Sequence, residues 1–98
     1  MSNRDQAVEV NDNREASRYE MTVDGADVGF VDYRLSENRI ILAYIEIDPA
    51  FGGQGFGGRL THAVLEDCLA RGLTVVPACP FIADYVRKHP ELVIPEGR

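Results

Sequence analysis

The first half of the chain alternates between hydrophobic and polar positions. Tyr19, Met21 and Val23 fall on one side of the segment 18–23, with charged and polar residues between them. Alternation with a period of two is the pattern of a strand that buries one face. Three segments are predicted as strands of an antiparallel meander: residues 18–23, 28–35 and 40–47. The third is a nearly continuous apolar run, which is typical of a central strand buried on both faces.

The second half follows a helical period. Apolar residues spaced three and four apart predict a long helix that begins after a glycine-rich loop and ends at Gly72. Its predicted apolar face comprises Leu60, Val64, Leu65, Cys68 and Leu69. Residues 74–76 are predicted as a short buried strand and residues 80–88 as a second helix, with Pro80 at its first position. The expected order is a meander followed by helix, strand and helix.

The loop before the long helix holds five glycines between residues 52 and 58. Glycine accepts a positive φ and carries no Cβ, so several backbone N–H groups can point at one place. The helix that follows adds its own unpaired N–H groups and a partial positive charge. The loop is therefore predicted to hold an anion, and a phosphate or pyrophosphate suits such a site.

Two nucleotide-binding motifs are excluded by their context. Residues 53–58 match the pattern G-x-G-x-x-G, but hairpin-linked strands precede them where a dinucleotide fold needs a βαβ unit. No acidic residue follows about 20 positions later to hold a ribose. The phosphate loop of P-loop NTPases is excluded because no Gly-Lys-Ser/Thr follows the glycines.

Length and charge narrow the class of protein. The 98 residues suffice for one small domain, with residues 1–7 expected to be disordered. The net charge of −6 arises from residues 1–50, which carry eleven acidic and five basic side chains, and it argues against a nucleic-acid partner. This acidity serves solubility, or attracts a cationic substrate such as an amine. Without a long apolar run or a disulfide framework, we expect a cytoplasmic monomer or weak dimer with no membrane partner.

The loop and its flanks resemble the GCN5-related N-acetyltransferases, in particular the minimal single-domain subgroup with a Cys-Pro-Phe segment after the last core strand. Residues 52–57, Gly-Gly-Gln-Gly-Phe-Gly, are similar to the superfamily's acyl-CoA loop Gln/Arg-x-x-Gly-x-Gly/Ala, with Gly52 in place of Arg or Gln. The segments 44–49, 75–81 and 85–91 extend the resemblance over about residues 18–91. It implies an α+β fold: a mostly antiparallel central sheet, a long helix after the glycine loop and a short C-terminal helix.

The resemblance also implies acetyl-CoA as the acyl donor and no metal. Its pantetheine arm would enter where the strands 40–47 and 74–76 splay apart, and its pyrophosphate would sit on the glycine loop. The residues implied at the cofactor are Ile45, Ile47, Gly53, Gln54, Gly55, Phe56, Gly57, Gly58 and Cys79. The sequence leaves the amine acceptor unidentified. The alternative is a non-catalytic module that binds CoA or a protein partner, which the missing side chain at Gly52 favours.

Three side chains are candidates for catalysis. Cys79 is predicted to cap the last helix, and it is either a thioester neighbour or acyl carrier, or a small buried hydrophobe. Glu46 is either the general base that the resemblance implies, with a pKa raised by partial burial, or an outward-facing residue near the strand end. Tyr85 corresponds to the tyrosine that protonates the departing CoA thiolate in the superfamily, or it packs in the core.

The other cysteine and the two histidines receive structural interpretations. Cys68 lies on the apolar face of the long helix and is assigned to the core. His62 is expected to be a solvated surface residue, and His89 to mark the end of the last helix. Neither histidine has partners at the spacing of metal ligands.

Overall fold

The computed structural model describes residues 7–95. Five strands form one sheet in the order β1-β2-β3-β4-β5. The strands are β1 (Val8–Asn13), β2 (Arg18–Val23), β3 (Ala26–Ser36), β4 (Arg39–Ile47) and β5 (Thr74–Pro77), and the helices are α1 (Phe56–Ala70) and α2 (Pro80–Lys88). Strands β1 to β4 are antiparallel, while β5 pairs with β4 in parallel after the crossover through α1. The predicted α+β fold, with a mostly antiparallel sheet and two helices, is confirmed.

The structure adds one strand that the sequence analysis did not predict. β1 pairs with β2 along its whole length, with Val8 opposite Val23 and Asn13 opposite Arg18. Its two valines pack against the edge of the core, and they are too few to give a strong alternating signal. The expected disorder of residues 1–7 falls on residues 1–6 outside the described part of the chain, and it stays a prediction.

The core lies between the sheet and α1. Tyr19, Met21 and Val23 on β2 are buried as predicted, and they belong to the same hydrophobic cluster as the fully buried Leu60 and Val64 of α1. Burial of apolar side chains supplies the main stabilisation of such a two-layer domain.

One helix position and one strand depart from the predictions. Leu69 is 38% exposed, because it lies at the border of the buried face of α1, whereas Cys68 beside it is fully buried as expected. β4 is not buried on both faces: Ile40 and Leu42 are buried, but the residues between and after them are half-buried or exposed. The described helices cover one face of the sheet, so β4 alternates as an antiparallel strand does.

A β-bulge in β4 changes which residues face the helices. Asp32 pairs with Tyr44 and Tyr33 pairs with Leu42, so Ala43 has no partner on β3. Before the bulge the even-numbered residues face α1, and after it Ile47 lies beside Gly57 of α1. Because one extra residue reverses the alternation of a strand, the bulge turns Tyr44 and Glu46 to the face opposite α1.

The parallel pair β4 and β5 separates at the same point. Pairing ends with Leu42 opposite Pro77, and the last backbone bond runs from Ala78 N–H to the Leu42 carbonyl at 3.0 Å. β4 continues to Ile47, whereas β5 ends at Pro77 and is followed by α2. The predicted splay is confirmed: the edge of β4 over residues 43–47 is not paired with β5.

A polar cluster ties the far end of α1 to the sheet. The Arg71 guanidinium donates to Asp12, Asp67 and the Tyr19 hydroxyl at 3.0–3.1 Å. Tyr19 donates to Asp67, and Tyr33 to Asp12, at 2.6 Å each. Burial, together with the bond to Asp12, raises the pKa of Tyr33 to about 12. The cluster satisfies buried polar groups at a distance from the glycine loop, so we assign it to stability.

Candidate active site

The glycine loop connects β4 to α1 through a short turn. Asp48 begins the turn at Pro49–Phe51 and accepts a hydrogen bond from Ala50 N–H at 2.9 Å. Gly53 and Gly55 then adopt φ of 76° and 79°, in the region where residues with a Cβ are strained. Gly55 is the residue that precedes the first turn of α1. The sequence prediction that glycine supplies positive φ here is confirmed at these two positions.

Six consecutive backbone N–H groups, from Gly53 to Gly58, have no hydrogen-bond acceptor among residues 7–95. The first helical bond of α1 is donated by Arg59 to the Gly55 carbonyl at 3.1 Å. The groups lie at the N-terminus of a helix of 15 residues, where the helix dipole is positive. Free donors and a positive helix end are the features with which helix N-termini bind anions in proteins.

Three residues of this segment also have a packing role. Phe56 is 2% exposed, and its ring lies edge-on to Phe51 with the ring centroids 6.3 Å apart, so its side chain anchors the loop. A Cβ on Gly57 would lie 3.3 Å from Cζ of Phe81, and one on Gly58 would lie 3.7 Å from Cε2 of Tyr85. Small residues in the first turn of α1 therefore allow α2 to lie against it.

Cys79 lies where β4 and β5 have separated. It is 8% exposed and is the N-cap residue of α2, as predicted. Its side chain makes no capping hydrogen bond within the described chain.

Glu46 lies on the open face of the sheet. It is exposed, so the outward-facing one of the two alternatives describes its position: the bulge at Ala43 turns it away from α1. The Tyr44 hydroxyl donates to Glu46 at 3.0 Å, and this bond raises the pKa of Tyr44. Sequence analysis did not single out Tyr44, although its position two residues before Glu46 places both on one face of a strand.

A groove of about 340 Å³ adjoins Glu46. Its lining includes four carboxylates and a single cationic side chain, that of Arg18: Glu20, Asp27, Glu46 and Asp48 are the acids. The Arg18 guanidinium lies 3.8 Å from the ring centroid of Phe30 and bonds to Asp32 at 3.1 Å. The groove therefore presents negative charge next to the proposed base.

Tyr85 lies on α2 in a different groove. This second groove, of about 480 Å³, is also lined by Gly55, Gly58, Arg59 and His62. The Tyr85 hydroxyl lies 2.9 Å from Nδ1 of His62. His62 lies at the surface as expected, with 42% of its side chain exposed, but sequence analysis did not predict that α2 packs against the first turns of α1 and brings Tyr85 onto it. His89 does end α2 as expected, and its ring stacks on that of Tyr85.

The structure therefore places the predicted residues in three surroundings. Glu46 lines the acidic groove and is bonded to Tyr44, Cys79 lies where β5 leaves β4 and lines neither groove, and Tyr85 shares the second groove with Gly55 and Gly58 of the loop. Within residues 7–95, no three His, Cys, Asp or Glu side chains lie close enough to hold a metal ion. Nor does that part of the chain contain a helix long and apolar enough to cross a membrane.

Comparison with known proteins identifies the family. The family model described as GCN5-related N-acetyl-transferase matches residues 18–94, which is most of the chain. No curated protein sequence matches. Among solved structures, a GCN5-like protein from Staphylococcus aureus, determined by NMR in solution, superposes with a TM-score of 0.65 at 20% identity, over 100% of this chain and 97% of the other. The glycine loop, the splayed strands and the family match together show that the chain belongs to the GCN5-related N-acetyltransferases.

Proposed function

We propose that this protein transfers the acetyl group of acetyl-CoA to an amine. The observation that carries the proposal is the run of six unbonded N–H groups at the start of α1, beside the gap where β5 leaves β4. Family membership supplies the chemistry, since acetyl transfer is what the GCN5-related family is named for. The local geometry fits the donor, because a pyrophosphate is the part of CoA that a cluster of backbone donors binds best.

The unpaired edge of β4 is the proposed track for the pantetheine arm. Beyond Leu42 the backbone of β4 has no strand on this side, so residues 43–47 can exchange hydrogen bonds with the amide groups of the arm. Ile45 and Ile47 are half-buried here and offer apolar contact. The thioester would then lie close to Cys79, which borders the same gap.

In the proposed reaction Glu46 takes a proton from the attacking amine. The neutral amine nitrogen then attacks the thioester carbonyl and the new C–N bond forms, its surplus proton leaves to water, and the C–S bond breaks. Tyr85 gives its hydroxyl proton to the departing thiolate, as the family resemblance implies. Tyr85 keeps its proton until then, because burial, with smaller effects from Glu91 and Glu66, raises its pKa. Cys79 serves as a neighbour of the thioester, or carries the acetyl group transiently.

The acidic groove beside Glu46 is the proposed entry for the acceptor. Four carboxylates around a single arginine favour a cation over an anion, and an alkylamine is protonated at neutral pH. A protonated amine that enters the groove must lose its proton before attack. Glu46 lines the groove and is the residue assigned to that step.

Calorimetry with acetyl-CoA tests the first premise, and absence of binding at high micromolar ligand refutes it. Turnover is then followed as acetylated product by mass spectrometry with a panel of amines. Glu46→Gln and Tyr85→Phe are each expected to slow transfer about 100-fold or more, the usual contribution of a general acid or base. Equal rates in the wild type and both variants would remove these residues from the mechanism.

The role of Cys79 is decided by intact mass after incubation with acetyl-CoA alone. If Cys79 is an acyl carrier, the wild-type protein gains the mass of one acetyl group. The Cys68→Ala variant should gain the same mass, and the Cys79→Ala variant should not. Cys68 is the matched control, because it is fully buried and burial raises its thiol pKa to about 11. An unmodified wild-type protein that still turns over establishes direct transfer.

A second candidate is a module that binds CoA without turnover. Two observations favour it: Gly52 brings no side chain to the phosphates, and Glu46 is solvent-exposed and hydrogen-bonded to Tyr44. Clear CoA binding with no product from any amine in the panel would establish this function.

A further inference from the structure

Tyr85 is held in a chain of hydrogen bonds that the proposed reaction does not use. Its hydroxyl lies 2.9 Å from Nδ1 of His62, and Nε2 of the same ring lies 3.2 Å from Oε2 of Glu66. Glu66 follows His62 by one turn of α1, so the helix itself sets the spacing of this pair. The chain Tyr85–His62–Glu66 thus joins α2 to α1.

The ring of Tyr85 is fixed in place from the other side. His89 stacks on it with the ring centroids 4.1 Å apart and an angle of 18° between the planes. Nδ1 of His89 lies 3.0 Å from the backbone carbonyl of Tyr85, so this histidine contacts the ring and the main chain but not the hydroxyl. Only His62 contacts the hydroxyl group among the described residues.

We propose that His62 is a positioning residue that determines whether the Tyr85 hydroxyl can donate its proton to a ligand. The inference rests on the proposed function, in which Tyr85 protonates the CoA thiolate. It follows from the hydrogen-bonding capacity of the two groups: a tyrosine hydroxyl has one proton to donate, and an imidazole either accepts at a nitrogen or donates from it.

The two protonation states of His62 give Tyr85 opposite roles. We assign the proton of the neutral ring to Nε2, which lies next to the Glu66 carboxylate, so that Nδ1 accepts and the Tyr85 hydroxyl points at His62. In the protonated ring both nitrogens donate, so Nδ1–H points at the Tyr85 oxygen. The hydroxyl proton is then free to point at a ligand.

The protonated state also completes the proton balance. When Tyr85 gives its proton to the thiolate sulfur, a negative charge develops on the phenol oxygen. The Nδ1 proton of His62 moves to that oxygen, and the neutral ring keeps its Nε2–H on Glu66. Uptake of one proton from water by Nδ1 of His62 restores the starting state.

The two carboxylates near the Tyr85 hydroxyl both act to raise its pKa. Glu66 on α1 and Glu91 after α2 both raise the pKa of Tyr85, after the larger effect of burial, and keep its proton in place. Arg59 of α1 lines the same groove and is the cationic group closest to it along that helix. In this chain of bonds the imidazole of His62 is the group with two nitrogens that can each donate or accept, so the proton exchange is assigned to it.

The first test needs no turnover. Nitrogen-15 NMR of the free protein above pH 7.5 reports which ring nitrogen carries the proton in neutral His62. We expect the Nε2–H form in the wild type. In a Glu66→Gln variant we expect this form to be less populated. A neutral His62 protonated at Nδ1 would overturn the proposal, because the Tyr85 hydroxyl would then already be free.

The second test is the pH dependence of the rate ratio between the wild type and Tyr85→Phe. Ionisation of the amine and of Glu46 affects the rates of both proteins equally, so it cancels in their ratio. We expect it to fall about fivefold, the equivalent of one hydrogen bond, as pH rises from about 5.5 to about 8.5. In a His62→Gln background the ratio should not change with pH, and in the matched His89→Gln background it should still fall.

The results separate this inference from the function on which it rests. A ratio that is constant with pH in the wild type, at normal turnover, would refute the role of His62 and leave acetyl transfer intact. No acetyl-CoA binding and no turnover would refute the proposed function, and with it the role of Tyr85 as an acid, whatever the tautomer of His62.

Discussion

Replacing Gly52 by arginine should tighten the binding of acetyl-CoA, because it adds the cation that the loop lacks. Gly52 has φ of −69° and ψ of 156°, which any residue adopts. It is exposed, and a Cβ there would be 3.4 Å from the Pro49 carbonyl oxygen, an ordinary contact. The position directly precedes the first unbonded N–H, that of Gly53. The substitution therefore changes charge beside the proposed pyrophosphate site without strain.

The expected effect follows from Coulomb energies in a solvated loop. Two unit charges about 5 Å apart in water interact by about 0.8 kcal/mol, so two phosphate charges give about 1.6 kcal/mol. Ordering the arginine side chain offsets about half of this. The net gain of about 1 kcal/mol is about fivefold in Kd. A glutamate at the same position should weaken binding about tenfold relative to the wild type, because its charge repels the same two phosphate charges by about 1.6 kcal/mol.

The assay is calorimetric titration of acetyl-CoA into Gly52→Arg, Gly52→Glu and the neutral control Gly52→Ala. At about 0.05 M salt the Kd values should rank Arg, Ala, Glu from tightest to weakest, and the spread should shrink at about 0.5 M salt. Equal Kd values for the arginine and glutamate variants at low salt would refute the assignment of this loop to the pyrophosphate.

The remaining predictions concern the fold. Tyr33→Phe should lower the free energy of unfolding by about 1–3 kcal/mol in urea, because it removes a hydroxyl bonded to the Asp12 carboxylate. Since the pKa of Tyr33 is raised from 10.0 to about 12, this stabilisation is complete below pH 10 and lost as pH rises towards 12; a stability difference that stays constant to pH 12 would contradict the account. Gly29→Ala should destabilise by about 1–3 kcal/mol, because a Cβ there would lie 2.5 Å from the Glu46 carbonyl oxygen. Gly52→Ala is its control and should be neutral or slightly stabilising; equal losses for the two alanine variants would argue against the packing at Gly29.

Local signals predicted the elements around the site. Glycines where the backbone needs positive φ, and a proline at the first position of α2, are consequences of the chain's own geometry at those residues. The positive φ of Gly53 and Gly55 and the position of Cys79 as the cap of α2 could therefore be predicted without any tertiary contact.

The remaining features depend on tertiary contacts. The bulge at Ala43 decides that Glu46 faces solvent, and a run of apolar residues does not reveal where one extra residue enters a pair of strands. The environment of His62 depends on how α2 crosses α1, 23 residues further along the chain at Tyr85. β1 is stabilised by pairing with β2 rather than by its own two valines.

The most direct test of the central claim is a titration of the nitrogen-15-labelled protein with acetyl-CoA, followed through its backbone amide signals. If the free N–H groups bind the pyrophosphate, the amides of Gly53 to Gly58 should shift most and saturate together, with those of Ala78 and Cys79 at the gap. Saturable binding that leaves the amides of residues 53–58 unchanged would contradict the account.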